Sequence, residues 1–378
     1  MGPLTGVKLI EIASIGPGPY AAMLLADMGA NVIRIDRPGG HPDLPLDPTR
    51  DILNRGRRSI VLDLASDNGR DAALTLIEAA DGLIEGFRPG VMERLGLGPE
   101  ICHRRAPSLV YARATGWGQD GPLANRAGHD IDYIALTGVL AAIGRNAGEA
   151  PAIPLNLIGD YAGGGLFCAF GLVCALLEAQ RSGRGQVVDA AMVDGSAHLM
   201  SIVHALDAMG LWHPSRGTNL LDSGAPFYDV YRTRDGGYLA VGPLEPSFFA
   251  QFLEAVGLDG HPDCARQYDR ESWPAMRAAI AQRIAEKGRD DWMRLLETRD
   301  VCVAPVLDYR EAARHPHLAA RGTFRRDWGL HQPAPAPRFS RSQAELTRPP
   351  PAPGADSEEI LREHGFSEAE IAVLARKQ

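Results

Sequence analysis

Lysine is nearly absent from this chain. Of its 39 basic residues only Lys8, Lys287 and Lys377 are lysines, so arginine is the ordinary cation and one arginine by itself marks no anion site. Cysteine is scarce as well. Cys102, Cys168, Cys174, Cys264 and Cys302 are odd in number and lack paired metal-ligand spacing, which argues against a disulfide framework and a thiolate metal site. Excess positive charge is missing too: a net charge of −8 offers no basic surface for counterion release, so nucleic acid is not an expected partner. No run of 18 uninterrupted apolar residues occurs, and Glu11 breaks the first apolar stretch, which has no basic segment ahead of it. Neither a membrane span nor a secretory leader is expected, and a reducing cytoplasm is the expected setting.

What is present reads as a globular protein of two domains, or three. A length of 378 residues exceeds one small core, and 45% apolar with 23% charged residues is ordinary globular composition. Val7 to Ala13 reads as a buried strand, Tyr20 to Met28 as a helix and Asn31 to Asp36 as a second strand. Further strands are expected at 59–63, 82–85, 108–114 and 186–190, with helices at 69–80, 131–143, 161–180 and 192–212. This βαβ alternation predicts an α/β fold on a parallel sheet. Residues 227–231 and 238–243 flank Asp235-Gly236-Gly237 as a hairpin, followed by helices at 246–256 and 272–287, a smaller α+β pattern. Residues 1–190 are thus a large domain, 191–225 a helical linker, 226–310 a small domain and 311–378 a terminal segment. Asp356…Glu359 and Ser367…Glu370 read as capping boxes for two short final helices.

Three places carry candidate chemistry. Gly128-His129-Asp130 and Gly159-Asp160-Tyr161-Ala162-Gly163-Gly164-Gly165 each put a proton-carrying side chain ahead of an apolar helical run. Asp160 and Asp130 both suit a helix N-cap. Three glycines in a first turn disfavour the helix, however, and predict a ligand close to the backbone. Imidazole is the side chain best able to accept a proton near neutrality, so His129 and Asp160 form a candidate acid–base pair. Glu245-Pro246 opens a helix; Glu245 either complements the helix dipole or orients a histidine. For a polyanionic ligand the candidates are Arg37, Arg55, Arg57, Arg58, Arg88 and Arg94, with Arg55-Gly56-Arg57-Arg58 the densest group. Gly16-x-Gly18-x-x-Ala21 imitates a dinucleotide fingerprint, but Pro17 and Pro19 remove two N–H donors that a pyrophosphate needs. Met192, Met200, Met209 and Leu220 are candidate apolar lining.

Several of these segments together resemble the family III CoA-transferase superfamily, in its α-methylacyl-CoA racemase branch. They are Gly16 to Ala30, Arg34 to Pro38, Arg88 to Gly96, Thr115 to Pro122, Gly128 to Tyr133, Gly159 to Gly165 and Gly183 to Asp189, with Gly224 to Asp229 and Pro335 to Phe339. The likeness implies a Rossmann-like large domain, a small domain reached by long linkers and an interlocked homodimer. In such a dimer the site lies between the large domain of one subunit and the small domain of the other. It also implies that Arg37, Arg88 and Arg94 line the CoA region and that residues 55–58 hold the nucleotide portion. Transferases of the family carry Gly-Tyr-Asp, then a glutamine four residues after the aspartate; here those positions are His129 and Ile134. The resemblance therefore implies epimerisation of (2R)- and (2S)-2-methylacyl-CoA, with His129 and Asp160 trading protons, Glu245 supporting His129 and a backbone N–H near Asp130 receiving enolate charge. Coenzyme A would be part of the substrate, with no other cofactor and no metal. The alternative is CoA transfer between carboxylic acids through an anhydride on Asp160.

Overall fold

The computed structural model describes residues 1–40 and 47–375; residues 41–46 of the expected large domain and 376–378 of the terminal segment lie outside it. Six strands form one sheet: β1 Lys8–Ile12, β2 Asn31–Asp36, β3 Arg57–Val61, β4 Gly82–Glu85, β5 Val110–Thr115 and β6 Val187–Ala191. Their order is β3-β2-β1-β4-β5-β6 and every neighbouring pair is parallel. Strands covered on both faces read as nearly continuous apolar runs rather than alternating ones, and β4 is buried at all four positions.

Alternation sorts the side chains to two layers. Ile10, Ile33 and Ile60 pack on one face with Ala73, Leu76 and Ile77 of the helix Asp67–Glu78. Leu9, Val32 and Val110 pack on the other with Leu25 of the helix Pro17–Asp27 and Leu172 of the helix Phe167–Ser182. Ile360, Leu361 and Ile371, from the helices Ser357–Glu363 and Glu368–Ala375, join the first layer. At roughly 1.5–3 kcal/mol per buried aliphatic side chain, those three make the terminal segment a structural part of the large unit.

Contacts divide the chain into two compact units, 1–137 with 155–200 and 320–378, and 138–154 with 201–319. The expected linker is therefore shared: 191–200 belongs to the larger unit and 201–225 to the smaller. The helix expected over 131–143 ends at Leu136, because Gly138 takes φ +83° and the chain leaves for the smaller unit there. The smaller unit holds the antiparallel sheet β7 Asp229–Arg232, β8 Tyr238–Val241 and β9 Val303–Pro305. Its core gathers Phe227, Phe252, Trp273, Met276, Ile280 and Trp292. Of the two expected capping boxes, Ser367 and Glu370 form theirs. Asp356 does not, because its carboxylate is taken by the Ser59 N–H and Arg348.

Leu157 to Ser182 is continuous helix, long and apolar enough to cross a bilayer by length and composition. One face of its second part, including Cys168, Leu172, Ala175 and Leu176, is buried on the sheet as core. Leu166, Phe170, Val173 and Leu177 remain exposed along another.

Candidate active site

The strand order reverses between β1 and β4, and in open α/β sheets ligands bind in the crevice beyond the carboxyl ends of strands at such a point. The turn after β1 carries Gly16, where φ is +74° and where a Cβ would lie 3.2 Å from Asp160 Oδ2. Asp160 therefore reaches the head of the sheet although it is distant in sequence. Ser14 Oγ is buried there without a partner among the described residues, in the space that a Cβ on Gly18 or Gly86 would enter.

Asp160 is not a helix cap. It is the fourth residue of a ten-residue π-helix, Leu157–Leu166, that runs into the helix Phe167–Ser182. Such wide turns are rare and concentrate at functional sites. The Asp160 N–H donates to Asp130 Oδ2 at 2.7 Å, and its own Oδ2 accepts from Asn156 Nδ2 at 3.0 Å. Burial, first of all, raises the Asp160 carboxyl above the usual aspartate range; the Asn156 hydrogen bond opposes this, the Asp130 charge adds to it and the His129 charge works against it. The side chain thus holds a proton to higher pH than an exposed aspartate, which suits a group that must both give and take one.

The glycine run has a different cause from the expected ligand. A Cβ on Gly163 would meet Ser196 N at 2.8 Å, one on Gly164 would meet Met192 Cγ at 2.7 Å and one on Gly165 the Pro17 carbonyl at 2.8 Å. The π-helix is wedged between the helices Pro17–Asp27 and Met192–Leu199, so protein backbone makes the close approach. Gly159 is the one that serves the site, because a Cβ there would fall 2.5 Å from Asp130 Oδ2.

His129, not Asp130, caps the helix Asp130–Leu136. Its backbone is extended, its N–H donates to Asp132 Oδ2 at 2.9 Å, and its ring is exposed. Asp130 is the first helical residue, buried, and points back at the π-helix. Two adjacent residues thus present an exposed imidazole and hold the backbone of Asp160. Tyr133 braces the turn: its hydroxyl donates to the Gly128 carbonyl at 2.5 Å, and its ring stands edge-on to Trp117 with centroids 4.7 Å apart. Burial first, then the Asp160 and Asp132 charges, push that hydroxyl up to about 12, with Arg88 pulling the other way. Arg88, Asp160 and Tyr133 therefore share one electrostatic neighbourhood.

The arginines separate into two sets. Arg57 is fully buried, with Nε on Glu11 Oε2 at 2.9 Å and its remaining nitrogens on the Leu53, Arg55 and Pro19 carbonyls. Arg55 grips both oxygens of Asp27, at 3.1 and 2.6 Å, and bonds Gln332 and the Pro333 carbonyl. Arg58 pairs with Glu363 at 2.7 Å. The expected phosphate cluster at 55–58 is instead a buried ion-pair network, because its donors are spent inside the fold. Arg37, Arg88 and Arg94 are exposed, and no ion pair engages them among the described residues. Arg37 follows β2 and Arg88 follows β4, on the crevice side of the sheet. Arg113 bridges Glu85 and Glu93 at 2.8 and 2.9 Å, stiffening the segment that carries Arg88 and Arg94.

In the smaller unit Glu245 is exposed at the N-cap of the helix Pro246–Val256, and its side chain makes no capping bond. The carbonyl beside it, on Leu244, accepts from Gln267 Nε2 at 2.8 Å and from the Tyr268 hydroxyl at 2.5 Å, so the carboxylate stands on a fixed backbone. Of the candidate apolar residues, Met192 is buried and Leu220 packs on the small core, while Met209 is 68% exposed. Sequence reading missed Asn156 and Tyr133, and it took Asp130 for a helix cap and enolate donor, not for the acceptor of the Asp160 N–H. Only Asn156, four residues before Asp160, left a helical-spacing signal.

Known proteins are similar to this chain over most of its length. Alpha-methylacyl-CoA racemase of Homo sapiens is 44% identical over 373 residues, covering 98% of this chain and 96% of that protein. Acetyl-CoA:oxalate CoA-transferase of Acetobacter aceti is 32% identical over 362 residues, covering 92% of each. The crystal structure of a CAIB/BAIF family protein from Brucella suis superposes with a TM-score of 0.83 at 26% identity, over 96% of this chain and 99% of that one. A family model described as CoA-transferase family III matches residues 4–357, which include the switch-point turn, residues 128–130 and 159–165, and Glu245. This chain belongs to CoA-transferase family III.

Proposed function

We propose that the chain is an isomerase that interconverts (2R)- and (2S)-2-methylacyl-CoA thioesters by proton transfer at C2. The observation that carries the reading is an exposed imidazole at position 129 whose neighbour Asp130 accepts the backbone N–H of Asp160, a residue whose carboxyl group holds a proton more tightly because it is buried. The thioester carbonyl acidifies C2–H, since the enolate avoids the second negative charge a carboxylate would carry. His129 removes the proton from one epimer and Asp160 returns one to the opposite face; the roles exchange for the other epimer. Each group contributes roughly 10²–10⁴-fold. A backbone N–H at the start of the helix Asp130–Leu136, ahead of Asp132 whose own N–H is taken by the His129 carbonyl, serves the developing enolate oxygen. The free arginines Arg37, Arg88 and Arg94 bind the CoA moiety. Names of relatives at 44% identity support the same activity, and support it more closely than the transferases at 32%.

In heavy water, either epimer should gain deuterium at C2 with its acyl group unchanged, read by mass spectrometry and chiral separation. Movement of CoA to an added carboxylic acid with C2 still protiated would establish the transferase reading instead.

A homodimer completes the proposal, with Glu245 of the smaller unit supporting His129 of a second copy. The exposed apolar stripe Leu166, Phe170, Val173 and Leu177 supports a partnered surface. Sedimentation velocity should give about twice the 40.6 kDa chain mass. A single species at the chain mass with full activity would exclude the shared site.

A further inference from the structure

A carboxylate that is buried without a cation is costly and calls for a reason. Asp130 is 6% exposed, and among the described residues its one hydrogen bond is the 2.7 Å contact from the Asp160 N–H. Its second oxygen, Oδ1, is buried and accepts nothing. Stabilising the first turn of its own helix is an insufficient reason, since Asp132 already supplies a carboxylate there and takes the His129 N–H. The geometry has a second half: Gly159 leaves the space that Oδ2 fills, so the π-helix is cut to admit this side chain.

Resting on the epimerisation reading, we propose that Asp130 is a positioning residue for Asp160. Its carboxylate pins the π-helical turn through the Asp160 N–H, and its charge adds to the effect of burial in making the Asp160 carboxyl hold a proton more tightly. The same residue follows His129 directly, so one helix start sets the placement of both proton-transfer groups. Other charged or titratable groups on the elements around Asp160 are His129, Asp132 and Tyr133 on the Asp130 helix, Tyr161 on the π-helix with Tyr20 stacked on it, Asp194 and His198 on the Met192–Leu199 helix, Asp189 on β6 and Arg88 beyond β4. Of these the carboxyl group of Asp160 responds to His129, with Asn156 bonded to it and Asp130 the one like charge acting on it.

The test compares Asp130→Asn with Asp130→Ala in the full chain, using the C2 exchange rate as a function of pH. Asparagine keeps an oxygen for the Asp160 N–H and removes the charge. Removing a like charge lowers the Asp160 affinity for protons, so the acid limb of the kcat/KM profile should move to lower pH, while thermal unfolding is unchanged. Alanine also removes the acceptor, and kcat should fall on the order of 10²-fold with KM for the CoA ester changed little, as expected for misplacement of a reacting group by about an ångström. An acid limb in Asp130→Asn that matches the unmodified chain, or a kcat in folded Asp130→Ala within about twofold of it, overturns the inference. Absence of C2 exchange in the unmodified chain would instead strike the epimerisation reading itself.

Discussion

His129→Ala should stop interconversion of the epimers, yet one of the two should still exchange its C2 hydrogen with deuterated solvent. Two groups on opposite faces imply this asymmetry. Without the imidazole, Asp160 can still remove and return a proton on its own face, giving exchange with retention for the epimer whose hydrogen points towards it. Asp160→Ala should show the mirror image, exchanging the other epimer through His129. Losing either partner costs roughly 10²–10⁴-fold or more in epimerisation, while binding of the CoA ester, measured by calorimetry, should remain close to that of the unmodified chain. Both variants should also keep their thermal stability. Equal loss of exchange from both epimers in a folded His129 variant would mean that one base serves both faces.

The second large effect concerns stability. Arg57→Ala should lower unfolding free energy by about 3–5 kcal/mol, because it leaves Glu11 buried with part of its compensation removed. Both side chains of that pair are fully inaccessible, at 0% each. Arg37→Ala should leave stability within about 0.5 kcal/mol, as expected of a surface change, and should raise KM for the CoA ester. Urea unfolding followed by circular dichroism, alongside steady-state kinetics, separates the two. Weakened substrate binding with undiminished stability in Arg57→Ala would restore the ligand role to the 55–58 cluster.

That contrast shows why part of the site was legible in the sequence and part was not. The strands of the sheet declared themselves, since a parallel sheet buried on both faces needs uninterrupted apolar runs. The placement of His129 and Glu245 was legible because each stands exposed at the start of a helix. The buried network was not: Glu11 and Asp27, which take up Arg57 and Arg55, lie 46 and 28 residues away, and spacing along the chain says nothing about pairs made across strands. The π-helix was equally hidden, since one extra residue per turn changes neither composition nor apolar pattern. Read as helix from Tyr161, the segment made Asp160 look like a cap, and the glycines looked like clearance for a ligand when they are clearance for neighbouring helices.

Anchoring through position 130 leaves its predecessor in the chain free to vary. Whatever stands at 129, the Asp160 backbone is held by Asp130 and its carboxyl group by Asn156, so a new side chain at 129 would leave that cradle in place. On the proposed reading, one backbone would therefore offer Asp160 either as a shuttle for hydrogen or as an attacking oxygen, with the side chains at 129 and 134 setting which.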